Sequence, residues 1–159
     1  MNTDIILSIL IFYAILVVVD IPAPFVGLKF ENTEKSKLWY APPGFIIPFA
    51  WFVLFTLLGI ARSKLVADGN TDFQWWLFTL AILCASYAYY TLGLAKLTHV
   101  SALWFGLWGN IVVILFALLV VIVVYPVNNT AALLTIPVII WTLYASIIVL
   151  GEMKHKKLI

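Results

Sequence analysis

Seven tryptophans are the side chains best suited to ligand binding in this chain of 159 residues. An indole ring offers a flat apolar face and one N–H donor, which suits contact with planar molecules. Trp51 and Trp141 lie inside apolar runs rather than at their ends. An interfacial aromatic belt does not explain a tryptophan at that depth. We therefore favour a pocket role for these two residues over simple packing between helices.

The other candidate aromatic residues lie nearer the ends of apolar runs. Trp104 and Trp108 are four residues apart and therefore share one face of a helix. Trp39 and Tyr40 come just before the next apolar run. An aromatic belt and a ligand pocket both explain these residues, and the sequence leaves the two interpretations open.

Two polar residues within or beside apolar runs also leave alternatives open. Asp20 is ionisable, which makes it a functional candidate in a membrane segment. The two prolines that follow it can instead end the helix and leave it among the lipid headgroups. Asn110 can hydrogen-bond either a ligand or a neighbouring helix.

No other set of side chains predicts catalysis or metal binding. The two histidines and the single cysteine, Cys84, are far apart and match no metal-ligand spacing. No nucleophile or general base stands out, so catalysis would depend on Trp51 and Trp141 as redox-active aromatic residues. We expect no catalytic residue, no bound metal and no required cofactor.

The elements that position these residues must be membrane-spanning helices. Hydrophobic residues make up 65% of the chain and charged residues 10%, against about 45–50% and about 25% in soluble domains. The apolar runs are continuous and about twenty residues long, which indicates helices rather than the alternating strands of a barrel. We predict one all-α integral membrane domain, residues 1–159, with five transmembrane helices in one bundle. The predicted spans are about 4–28, 44–64, 73–95, 102–124 and 131–151.

Basic residues predict the orientation of this bundle. Only Arg62 and Lys64 fall on the side of the second and fourth loops. The positive-inside rule then places the C-terminus in the cytoplasm and the N-terminus outside. We expect a prokaryotic plasma membrane, and the net charge of +2 does not favour nucleic-acid binding. The lysines on the other side are Lys29, Lys35, Lys37, Lys96, Lys154, Lys156 and Lys157.

Two segments resemble motifs of the translocator protein / tryptophan-rich sensory protein (TspO) family. Residues 42–61 read PPGFIIPFAWFVLFTLLGIA, similar to the family pattern P-P-x-W-x-F-P-x-V-W-x-x-L-Y-x-x-x-G. Residues 137–145 read PVIIWTLYA, similar to P-Y-L-x-W-x-x-F/Y-A. The matching residues are Pro42, Pro43, Pro48, Trp51, Leu54, Gly59, Pro137, Trp141, Tyr144 and Ala145.

The resemblance implies a five-helix bundle around a ligand pocket that the first loop covers. Family members bind tetrapyrroles such as protoporphyrin IX, several bind sterols, and they commonly form dimers. Trp51 and Trp141 match the family's pocket tryptophans, which in some bacterial members support light- and oxygen-dependent porphyrin breakdown. The candidate ligand-binding residues are Trp39, Tyr40, Phe45, Pro48, Trp51, Trp104, Trp108, Asn110, Trp141 and Tyr144.

We therefore expect a membrane sensor or carrier that binds a planar hydrophobic ligand, either a tetrapyrrole or a sterol-like lipid. A light-dependent porphyrin-degrading enzyme, a small transporter and a structural membrane protein are the alternatives. Asn110 replaces the acidic residue usual in the family's fourth helix, and Val149 replaces an asparagine, so the pocket should be more apolar than usual. Ala81, Ala85 and Ala88 would allow close helix approach, either in a homodimer or inside the bundle.

Overall fold

The computed structural model describes residues 3–28 and 38–159, and every regular element within them is helical. The long helices are α1 (Thr3–Asp20), α3 (Ile46–Ala67), α6 (Ala102–Val124) and α7 (Asn129–His155). The shorter helices are α2 (Pro22–Phe25), α4 (Gln74–Ala85) and α5 (Leu94–Thr98). A 3-10 turn, Thr71–Phe73, precedes α4, and a π-helical turn, Tyr89–Gly93, precedes α5.

Four segments are long and apolar enough to cross a membrane: Thr3–Phe25, α3, α6 and α7. The count rises to five if the bent pair Thr71–Ala85 and Tyr89–Thr98 is one span. Large apolar side chains such as Val18, Leu115 and Ile122 are exposed on the outside of these helices. Helices that are apolar on all sides require a lipid environment. The chain is therefore an integral, multi-pass membrane protein.

The predicted third span, 73–95, is not one continuous helix. Helix α4 ends at Ala85, and the segment after the π-helical turn is inclined to it by 49°. Sharp bends of this kind commonly coincide with π-turns, because the turn inserts one extra residue. The three alanines of this region are buried within the single chain. They serve packing inside the bundle, and a homodimer through this helix stays a prediction.

The long helices pack in a closed ring, in the order α1, α3, α7, α6, α4 and back to α1. Phe12, Phe55 and Leu58 are fully buried in its centre. Gly59 allows α1 and α3 to approach closely, since a Cβ at this position would lie 2.7 Å from the Cα of Ile9. Buried large side chains and close small ones therefore both contribute to the packing of the bundle.

The two ends of the ring carry different loops. At one end Gly27 lies beside Lys96, whose Nζ is 3.3 Å from the position that a Gly27 Cβ would take. At the other end Asn128 Nδ2 donates a hydrogen bond of 2.6 Å to Asp68 Oδ2, and Asn128 caps α7. Three lysines used to predict the orientation lie outside the described residues, namely Lys29, Lys35 and Lys37.

Candidate functional site

A groove between α3 and α7 is the clearest candidate binding site in the part of the chain that the structure describes. Its volume is about 320 Å³. It lies near the middle of α3, since Leu54 is about 12 Å along the helix from Ile46 at about 1.5 Å per residue. Every lining residue is apolar. The residues that line this α3–α7 groove are Phe49, Ala50, Val53, Leu54, Pro137, Ile140 and Trp141.

The groove opens on the outer surface of the bundle. Phe49, Val53 and Ile140 are exposed, whereas Leu54 is buried and forms part of the core. An apolar surface of this kind faces acyl chains in a bilayer. A ligand dissolved in the membrane could therefore enter the groove sideways without crossing a water layer.

Trp141 connects this groove to the segment that precedes α3. The Trp141 and Tyr144 rings are 5.6 Å apart, between centroids, at an angle of 53°. The Tyr144 hydroxyl donates a hydrogen bond of 2.7 Å to the backbone carbonyl of Tyr40. The Tyr40 side chain in turn lies against Gly151 of α7, in space that a larger residue would occupy. Movement of the Tyr40 segment is thus linked to the groove through one hydrogen bond and one ring contact.

Trp51 lies apart from this arrangement. It is half-buried against the central core, and its ring is 6.3 Å from that of Phe55 at 73°. Trp141 also packs against this core, but Trp51 is not among the residues that line the groove. The two motif tryptophans therefore share a core without sharing a cavity in this structure.

Several of the predicted site residues lie on the surface. Trp39 is 93% exposed, and Trp108 is 60% exposed. Phe45 and Pro48 are exposed near the start of α3, and Trp104 is half-buried near the start of α6. The structure thus brings Tyr40, Tyr144 and Trp141 together but leaves these five residues outside that group.

Asn110 is only 3% exposed, and its Nδ2 has no hydrogen-bond partner. Tyr90 Oη is the other buried side-chain polar atom without a partner among the described residues. The sequence interpretation did not include Tyr90. A tyrosine within an apolar run is a usable signal, since a buried tyrosine hydroxyl usually has a hydrogen-bond partner.

A second polar group that the sequence interpretation missed surrounds Arg62, which served there only to predict orientation. Arg62 Nη1 donates to Ser8 Oγ at 2.7 Å, and Arg62 Nε donates to Gln74 Oε1 at 2.9 Å. The guanidinium also lies 5.5 Å from the centre of the Phe78 ring. These contacts join α1, α3 and α4 through one cation whose partners among the described residues are neutral. An arginine inside a predicted span was itself the signal for this junction.

A polar hollow of about 650 Å³ lies at the end of the bundle that Asp68 and Asn128 occupy. Lys64 and Asp68 of α3 face the loop from Tyr125 to Thr130 there. No group of three or more potential metal ligands occurs within residues 3–28 and 38–159. The hollow therefore differs from the α3–α7 groove in polarity and in depth.

Comparison with known proteins gives one assignment. The family model described as the TspO/MBR family matches residues 8–152. A search of curated proteins gives no significant match. The matched region contains both tryptophan motifs and every residue of the α3–α7 groove. The chain therefore belongs to the TspO/MBR family.

Proposed function

We propose that this protein is a membrane sensor or carrier that binds a planar hydrophobic ligand, a tetrapyrrole such as protoporphyrin IX, in the α3–α7 groove. Family membership supports a membrane ligand-binding protein in general. One observation carries the more specific proposal: Trp141 lines a groove whose walls are entirely apolar. A flat aromatic ligand is attracted to such a wall by burial of its own faces and by ring contact.

The size of the groove decides how such a ligand would lie. Ligand pockets commonly measure about 300–1,000 Å³, and the groove is near the lower limit at about 320 Å³. A macrocycle would therefore be held along one edge, with its other edge among the acyl chains. The chain from Trp141 through Tyr144 to Tyr40 would transmit occupancy to the loop before α3. This link favours a sensor or a carrier with a responsive loop.

The test is to fill the groove and measure binding of protoporphyrin IX to purified protein through the change in its absorbance. Ala50 lines the groove, and Ala50→Leu would place three additional carbon atoms in it. Ala14 is exposed on the lipid-facing side of α1, so Ala14→Leu is the matched control. We expect Ala50→Leu to weaken binding by about tenfold or more, since the loss of several ring contacts costs more than about 1.4 kcal/mol.

Each outcome of this titration has a definite meaning. No saturable binding by the unmodified protein would remove the proposal of a tetrapyrrole ligand. Equal affinity in the Ala50→Leu and Ala14→Leu variants would place the ligand elsewhere. Competition by a sterol in the same assay would identify a sterol-like lipid as the preferred ligand class.

We also propose that the chain crosses the bilayer five times, with the C-terminus in the cytoplasm. The segment from Thr71 to Thr98 begins near the end that Asp68 occupies and leads to Lys96, which lies beside Gly27 at the other end. A passage from one end to the other supports counting the bent pair as one span. Reporter fusions at the two termini test this arrangement, and a cytoplasmic N-terminus would contradict it.

A further inference from the structure

The contact between the π-helical turn and α6 contains two hydrogen-bonding groups that the proposed groove does not use. They are Tyr90 Oη and Asn110 Nδ2, both buried and both without a partner among the described residues. Leaving a buried donor unpaired is costly, and the cost is greater where no water is available. Replacement by apolar side chains would remove that cost. Two such groups close together therefore indicate a partner that comes from outside the protein.

The packing around them shows that they belong to one contact. The Tyr90 ring lies directly over Gly109, where an added Cβ would be 2.8 Å from Tyr90 Cδ2. Asn110 is the next residue of α6. One turn earlier on α6, Gly106 lies beside the Tyr87 hydroxyl, at 2.9 Å from the position of an added Cβ. The two glycines allow the tyrosine rings to lie against the backbone of α6.

The backbone on the other side of the contact is irregular. Tyr90 lies in the π-helical turn Tyr89–Gly93, beside the 49° bend between α4 and the segment that follows. Such turns occur frequently at functional sites. A site at this position could open through a change in that turn while α6 stays fixed.

The chemistry of the two groups restricts what could bind. An asparagine Nδ2 only donates hydrogen bonds, and a tyrosine hydroxyl can also donate. The complementary group is an oxygen acceptor with two lone pairs. No cation is recorded at this contact among the described residues, and an unpaired carboxylate is too costly to bury. A neutral carbonyl oxygen fits better than an anionic one.

We propose that Tyr90 Oη and Asn110 Nδ2 form an internal site for the carbonyl oxygen of a neutral, apolar ligand. The site lies between α6 and the π-helical turn, away from the α3–α7 groove, and it does not depend on the proposed tetrapyrrole. It would give the protein a directional preference that a wholly apolar groove cannot supply.

The test uses 9-fluorenone, a planar ketone, and fluorene, the same ring system without the carbonyl oxygen. Binding of each is measured on the purified full-length protein and on the variants Tyr90→Phe and Asn110→Leu. We expect the unmodified protein to prefer the ketone, and each variant to lose about 2- to 12-fold of that preference, as expected for one net hydrogen bond. Equal binding of the two compounds to the unmodified protein would overturn the proposal, as would a preference that persists in both variants.

Stability measurements distinguish a ligand site from a hydrogen bond within the protein or to a buried water. Tyr13 supplies the matched control, because its hydroxyl lies 2.6 Å from Thr56 Oγ1. Tyr13→Phe should lower the melting temperature and keep the ketone preference. Tyr90→Phe should leave the melting temperature unchanged or raise it. A decrease for Tyr90→Phe as large as that for Tyr13→Phe would mean that the hydroxyl is already paired, and would contradict the proposal.

Discussion

Replacing Gly59 by alanine tests whether α1 and α3 cross as closely as the structure indicates. An alanine Cβ would lie 2.7 Å from the Cα of Ile9 and 3.0 Å from its backbone nitrogen. Carbon atoms make optimal contact at about 3.5–4.0 Å, so α1 would have to move by about 1 Å. Backbone atoms cannot avoid the new methyl group by a rotamer change. The strain must therefore be shared by the helix pair.

Two opposing terms set the size of the effect. Adding a methyl group to a well-packed interior costs about 1–3 kcal/mol. Alanine is favoured over glycine within a helix by about 1 kcal/mol. Gly93 experiences only the second term, because the atoms nearest to an added Cβ there are 3.8 and 4.0 Å away on the Leu28 side chain. The difference between Gly59→Ala and Gly93→Ala thus isolates the packing cost, about 1–3 kcal/mol.

Thermal unfolding of the two purified variants measures that difference. For a chain of this size, 1 kcal/mol corresponds to about 2–4 °C in melting temperature. We expect Gly59→Ala to melt about 2–12 °C below Gly93→Ala. Equal melting temperatures would refute the close crossing and with it the role assigned to Gly59.

Two hydrogen-bonded links give further predictions. Tyr144→Phe removes the hydrogen bond to the Tyr40 carbonyl, worth about 0.5–1.5 kcal/mol. Amide exchange near Tyr40 should then become about 2- to 12-fold faster by mass spectrometry. Arg62→Lys keeps the charge but cannot reach both Ser8 and Gln74. The loss of one charge-assisted hydrogen bond, about 1.5–3 kcal/mol, should lower the melting temperature by several degrees.

Matched variants control for both effects. Tyr125 is an exposed tyrosine at the opposite end of the bundle, so Tyr125→Phe should not change exchange near the segment before α3. Lys64 is an exposed cation two residues from Arg62, and Lys64→Arg should leave the melting temperature within about 1 °C. A similar change in a control and its test variant would show that the named hydrogen bond is not responsible.

The long helices were predictable because their signal is simple. Continuous apolar runs and the prolines after Asp20 and at the start of the second run predict where α1 ends and where α3 begins. The break after Ala85 was not predictable in the same way. Residues 73–95 are apolar throughout, and the bend depends on how Tyr87 and Tyr90 contact the glycines of α6. Such contacts are tertiary and leave no pattern in local hydropathy.

The candidate site was only partly predictable for a related reason. Depth along a helix follows from residue number, so Trp141 could be placed near the bilayer centre. The face on which a side chain lies does not follow, since these helices are apolar on every side. Trp108 was therefore a pocket candidate by its spacing from Trp104, yet it is mostly exposed. Arg62 was counted as a surface charge, although it contacts the buried Ser8.

The absence of polar side chains from the α3–α7 groove limits what that groove can select. Apolar contact is non-directional and depends on area and shape, so a groove lined only by such residues distinguishes ligands by flatness and width. The carboxylates of protoporphyrin IX would be too costly to bury there. They would have to extend beyond the groove toward the membrane surface, where cations such as Lys154 and Lys156 are exposed at the end of α7. Selection among acidic and neutral planar ligands must therefore arise at the ends of the bundle or at separate polar sites, and the groove itself accepts either.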